Sequence, residues 1–214
     1  MKNETLEQIA ASIVAPDKGI LAADESSPTI KKRFDSINAE STEENRRDYR
    51  EMLFKTNNIS RYVSGVILFH ETLYQNDSEG NPLVKILTDQ GIVPGIKVDK
   101  GAKPLAGHPN ETITEGLDGL RERLGEYSQA GAKFTKWRAV ISIANSIPSN
   151  YCVEANAHAL ARFASLSQEA GLVPIIEPEV LMDGTHTIDA CYRATESVLT
   201  EVYDQLARSK VDLK

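Results

Sequence analysis

The chain has 214 residues, with 31 Asp and Glu against 24 Lys and Arg and a formal charge of −7. That sign argues against a nucleic-acid surface, which needs a basic footprint, and disfavours anionic membranes. Hydrophobic residues at 41% and charged residues at 26% suit a globular protein long enough for one sizeable core, and two cysteines without CxxC spacing fit a reduced compartment.

The opening Met1-Lys2-Asn3-Glu4-Thr5-Leu6-Glu7 lacks the apolar run of a signal peptide. No apolar stretch approaches the roughly 20 residues of a membrane span, so a cytoplasmic protein with no membrane partner is expected. Residues 19–24 and 65–70 are short apolar runs that open at a glycine and close on a polar residue, a strand plan. Between them, residues 42–55 form a helical stretch, with Ser41/Thr42 and Glu43/Glu44 as a capping box. Residues 77–81 and 102–110 are rich in Gly, Pro, Asp or Asn and predict surface loops. Residues 92–98, 132–140 and 172–180 repeat the strand plan, the last two after Gly131 and Gly171. Residues 116–129, 153–170 and 188–206 carry apolar positions at helical spacing, and Val211-Asp212-Leu213 reads as the start of a sixth strand.

Strands alternating with helices of this length predict βαβ units and a parallel sheet in one domain. A doubly wound sheet and a (β/α)₈ TIM barrel both suit that order. No GxGxxG follows the first strand, so the dinucleotide fingerprint is absent. Polar residues close several different strands, and that distribution favours the barrel.

Three strands carry charged residues at i and i+2, which share one face of an extended chain: Lys97 and Asp99, Lys136 and Arg138, Glu177 and Glu179. Two neighbouring carboxylates repel when both are charged, raising one pKa for acid/base work. The alternative for Glu177 and Glu179 is an edge strand with outward charges, which Pro178 favours. The apolar residues 173–176 predict instead a strand buried on both faces. A lysine at the polar end of a strand can carry a proton or hold phosphate, and an arginine can fix an anion; a solvated β-pair is the plainer reading of both. After the first strand, Asp24-Glu25-Ser26-Ser27-Pro28-Thr29 forms a strand-to-helix turn whose hydroxyls and N–H groups can receive an anion or simply cap the helix. None of the four histidines stands at metal-ligand spacing from another His or Cys, so no metal and no cofactor is expected.

These segments resemble the class I fructose-bisphosphate aldolases from about residue 6 to the end. The resemblance rests on Gly19-Ile20-Leu21-Ala22-Ala23-Asp24-Glu25-Ser26, Glu44-Asn45-Arg46-Arg47, residues 65–75, Gly95-Ile96-Lys97-Val98-Asp99-Lys100-Gly101, Gly116-Leu117-Asp118-Gly119-Leu120, Lys136-Trp137-Arg138 and Pro174-Ile175-Ile176-Glu177-Pro178-Glu179. It implies a metal-independent lyase of glycolysis and carbon fixation, a (β/α)₈ barrel that is usually a tetramer. Such enzymes reversibly cleave fructose 1,6-bisphosphate into dihydroxyacetone phosphate and glyceraldehyde 3-phosphate through a lysine Schiff base. On matching positions, Glu177 resembles the acid/base carboxylate, Glu179 a carboxylate beside the reactive lysine, and Asp24 the group contacting the hydroxyl of the cleaved bond. Lys136 resembles a lysine that assists at the carbinolamine. Lys97, Ser26, Thr29, Arg33, Arg46 and Arg138 fall where the family binds substrate, largely its phosphates.

Two departures stand out. Pro28 occupies the place where the family commonly has glycine, and is expected to push Ser27 out of the helical region. The family's Gly-Thr-Leu-Leu-Lys-Pro-Asn segment, with the Schiff-base lysine, has no counterpart up to Lys214, which lacks its flanking motif. The resemblance therefore implies one partial barrel domain, 1–214, of about five β/α units, inactive by itself. The competing reading is a non-catalytic relative that binds phosphosugars or partners.

Overall fold

The computed structural model describes residues 4–213. Met1–Asn3 and Lys214 lie outside the described residues, and with them the start of the leader reading and the position of Lys214. The chain divides into two compact units that cut across its central strands. One comprises the described part of Met1–Lys97 with Gly125–Thr135 and Gly171–Val173; the other comprises Val98–Leu124, Lys136–Ala170 and the described part of Pro174–Lys214.

In the first unit, helix α1 (Leu6–Ile13) starts at a reciprocal capping box between Thr5 and Gln8. Strand β1 (Gly19–Ala23) follows, then α2 (Ser27–Ser36), α3 (Glu43–Phe54), β2 (Val63–Leu68), α4 (His70–Tyr74), α5 (Leu83–Asp89) and β3 (Val93–Lys97). Thr42 caps α3 by accepting from the Asn45 amide; the glutamates lie one and two positions too early to close a capping box. Phe54 closes α3 at 0% exposure, a burial that contributes about 2–3 kcal/mol. The strands β1, β2 and β3 run parallel, with Ala23 opposite Leu68 and Leu68 opposite Ile96. Ser64 ties this sheet to α1, its hydroxyl donating to the Ile13 carbonyl at 2.6 Å. Pro28 does not displace Ser27: the helix begins at Ser27, because first-turn N–H groups have no partner within the helix and proline there loses nothing.

The strands β6 (Phe134–Ile141) and β7 (Val173–Val180) complete a sheet of order β1-β2-β3-β6-β7. The Lys133 amide donates to the Pro94 carbonyl in the first unit, and the Val98 amide to the Lys136 carbonyl in the second, so β6 runs parallel to β3. Val173 to Lys133 and Leu181 to Ile141 align β7 on β6 in the same sense. The β7 residues are all half-buried rather than buried on both faces, because β7 is the last strand of this sheet.

In the second unit, residues 102–110 are more than a loop. β4 (Ala102–Pro104) and β5 (Thr112–Thr114) pair antiparallel as a hairpin. The next helix is α6 (Leu120–Gln129), of which only the part up to Leu124 belongs to this unit; Gly116 and Gly119 have positive φ, which delays its start beyond the expected Gly116. Helix α7 (Asn150–Glu169) buries Ala157, Ala161 and Ala164, while Phe163 stacks on Trp137 at 5.6 Å. Asn156, 2% exposed on α7, donates to the Thr112 carbonyl at 2.8 Å and accepts from the Thr114 amide at 3.2 Å. Helix α8 (Ile188–Arg208) buries Val198, Val202 and Leu206, one stripe at a spacing of four. After it, Val211-Asp212-Leu213 forms no strand; Gln168 holds the Asp212 backbone through both its amide atoms.

Candidate active site

Strand β1 is followed by Asp24, and β3 ends at Lys97. In the first unit, the matched register of Ala23, Leu68 and Ile96 sets Asp24 and Lys97 one residue beyond aligned positions, on either side of β2. Ser26 is the N-cap of α2, yet its side chain makes no capping bond; its hydroxyl lies 3.1 Å from that of Thr29. Pro28 has no N–H and the Thr29 amide donates to the Ser26 carbonyl at 2.9 Å, so of the first three helical residues Ser27 supplies the amide that can meet an anion. Arg33, a turn later and largely exposed, pairs with the buried Glu25 at 2.8 Å.

Arg46 is engaged differently. Its guanidinium donates to both carboxylate oxygens of Glu71 and to the Ser41 carbonyl, and it is largely buried. The hydrogen bonds from Arg46 hold the Glu71 carboxyl below its ordinary range, against the opposing effect of burial. Sequence reasoning missed the residue beside them, Arg50. Its side chain is 0% exposed, it donates to the Glu25 carbonyl at 2.8 Å, and burial lowers its pKa despite Glu25 and Glu71. A signal was present: Arg50 lies four residues before Phe54, on the buried stripe of α3.

In the second unit, the doublets at i and i+2 interlock across β6 and β7. Lys136 Nζ stands 3.2 Å from Glu177 Oε2, and Arg138 Nη1 stands 3.2 Å from Glu179 Oε2. Glu177 and Glu179 thus each face a cation instead of each other. The intervening Trp137 points to the opposite face and is fully buried, as period-two alternation requires. Asp99 accepts from the Gly101 amide at 3.0 Å and, more weakly, from the Arg138 amide at 3.4 Å. A carboxylate and an ammonium in contact can pass a proton between a bound carbonyl and water.

Residues 5–214 match the family described as Fructose-bisphosphate aldolase class-I. The chain belongs to the class I fructose-bisphosphate aldolase family. A probable class 1 aldolase of Xanthomonas campestris pv. campestris is 57% identical over all 214 residues, which span 64% of that protein. Mouse fructose-bisphosphate aldolase B is 53% identical over 206 residues, 96% of this chain and 57% of its own length. The solved aldolase of Plasmodium falciparum, crystallised with TRAP and a small-molecule inhibitor, superposes with a TM-score of 0.92 at 48% identity. That match covers 94% of this chain and 58% of the other. The chain thus carries about five β/α units of the family's (β/α)₈ barrel, and spans less than two thirds of the relatives it matches. Among the described residues no helix is long and apolar enough to cross a membrane.

Proposed function

We propose that this chain is the part of a class I aldolase that holds its acid/base and phosphate groups, acting on fructose 1,6-bisphosphate and the two triose phosphates. The contact of Lys136 with Glu177 carries the reading. In this scheme the nucleophilic lysine lies in the part of the relatives that the chain does not span. Its amine condenses with the C2 ketone, losing water; the iminium then accepts the electron pair as the C3–C4 bond breaks. Glu177 carries protons to and from the carbinolamine with Lys136 beside it, Asp24 contacts the hydroxyl of the cleaved bond, and Glu179 neighbours the reactive amine. Lys97, Ser26, Thr29, Arg33 and Arg138 bind substrate, largely its phosphates. Arg46 serves the phosphate site at one remove, through its pairing with Glu71. The same reading makes the whole protein a cytoplasmic homotetramer.

Borohydride trapping tests it. A protein of the relatives' full length, given substrate and borohydride, is expected to gain one reduced triose phosphate adduct. Glu177→Gln in that protein should cut turnover by about 10²-fold or more, the usual worth of a general acid/base. The 214-residue chain should gain no adduct. An adduct on it, with normal turnover, would refute the assignment of the reactive lysine.

A further inference from the structure

Arg50 is fully buried, beside a carboxylate that already has another partner. Glu25 Oε1 is taken by Arg33 at 2.8 Å, while Glu25 Oε2 has no hydrogen bond. Arg50 Nε and Nη1 have none either, and Arg50 Nη2 lies 3.9 Å from that same Oε2. Arg50 approaches Glu71 only to 3.6 Å, because Arg46 holds both oxygens of that carboxylate. The cluster sets three guanidiniums, those of Arg33, Arg46 and Arg50, against two carboxylates. Its one strong hydrogen bond from Arg50 goes to the Glu25 backbone carbonyl, and the guanidinium also lies over the Phe69 ring at 5.9 Å. A buried cation with unused donors costs free energy, so stability alone does not account for this arginine.

We propose that Arg50 is a positioning residue that acts as the reserve counterion of Glu25. At rest it fixes the turn after β1 by its bond to the Glu25 carbonyl, and Glu25 aims the exposed Arg33 along α2. When a phosphate group draws Arg33 away, Glu25 closes the gap to Arg50 rather than remaining a buried carboxylate without a cation. Arg33 is thereby lent to the ligand at low cost. The inference rests on the phosphate-binding role proposed for Arg33, and goes beyond it by naming what permits that exchange.

The test is a double-mutant cycle on the 214-residue chain, with inorganic phosphate as probe and affinity read by NMR titration of the folded species. Phosphate binding that falls in Arg33→Met tests the functional reading; a parent chain that binds no phosphate overturns that reading and this inference together. Given binding, Arg50→Met is expected to weaken it about tenfold when Glu25 is present and less than about twofold in a Glu25→Gln background. Arg50→Lys, which keeps a cation for Glu25, should restore affinity to within about twofold of the parent. Glu25→Gln alone removes the competitor for Arg33 and should tighten phosphate binding about threefold, since more of the free protein is then competent. Equal effects of Arg50→Met in both backgrounds overturn the inference while leaving the phosphate site intact. Should Arg50→Met give no folded chain, Glu25→Gln decides: unchanged or weaker phosphate binding overturns it.

Discussion

Replacing Gly95 by alanine should damage this protein more than any surface change. A Cβ built at Gly95 on β3 would lie 2.3 Å from Phe134 Cε2 and Cζ and 2.5 Å from Cδ2, where ordinary contact begins at 3.4 Å. The ring is 0% exposed, so it has no solvent to retreat into. The overlap of about 1 Å in a close-packed interior places the cost at the upper end of overpacking, about 3 kcal/mol. At Gly65 on β2 the same ring is 3.2 Å away and Ile13 is 3.4 Å away, so Gly65→Ala should cost about 1 kcal/mol or less. Urea unfolding of the two variants measures the difference. Phe134→Leu alone should cost about 1–2 kcal/mol by the cavity it leaves. Combined with Gly95→Ala it should recover at least about 1 kcal/mol relative to additivity, since the smaller side chain makes room for the methyl. Strict additivity, or a Gly95→Ala cost no larger than that of Gly65→Ala, would refute this account of how β3 packs on β6.

Three other outcomes are expected. Glu71 has a lowered pKa in the folded chain, so the folded state binds fewer protons than the unfolded one just below the ordinary carboxylate value of about 4.3. Its stabilisation is present above that pH and lost as pH falls through the folded value; the urea midpoint should therefore drop more steeply between about pH 5 and 3 in the parent than in Glu71→Gln. Burial raises the Cys152 thiol to about 11, with Glu111 adding to the effect, while Cys191 is partly exposed. An aromatic disulfide reagent at about pH 8 should then label Cys191 first and reach Cys152 only on unfolding, and equal rates would contradict the burial. Asn156→Leu should cost about 2 kcal/mol by leaving the Thr114 amide without its partner and the Thr112 carbonyl with only the weak Cys152 thiol at 3.6 Å. In hydrogen exchange the Thr114 amide should lose protection ahead of the β5 neighbours that still pair with β4.

The five parallel strands were legible because apolar runs bounded by glycine and a polar residue leave little else for a buried chain to do; their observed ends fall within about two residues of the sequence reading. The helices α1, α4 and α5 were not read. Helix α4 has only five residues, and α5 follows Pro82 without a capping side chain, so neither offers a full amphipathic period. Helix α1 did announce itself, through Thr5 and Gln8 at capping-box spacing. The hairpin of β4 and β5 hid behind Pro104 and Gly107, residues that also mark loops. At the site, period two was enough to find Lys136, Arg138, Glu177 and Glu179, because a strand assigns alternate residues to one face whatever lies opposite. It could not reveal that the pairs of β6 and β7 oppose each other charge for charge, since that depends on register. Arg50 was lost among the charges of α3, where a run of Arg and Glu reads as a wetted face until the position of Phe54 marks the inner stripe.

The buried amide of Asn156 does for β5 what a third strand would do. A free strand edge repeats one donor and one acceptor every second residue, and any extended peptide can dock there. Here the carbonyl of Thr112 and the amide of Thr114, the two outward groups flanking Ile113, are both spoken for by a single helical side chain. On this edge of the ribbon those two groups are thus withdrawn from any passing polypeptide, and the withdrawal is written into one residue of a neighbouring helix.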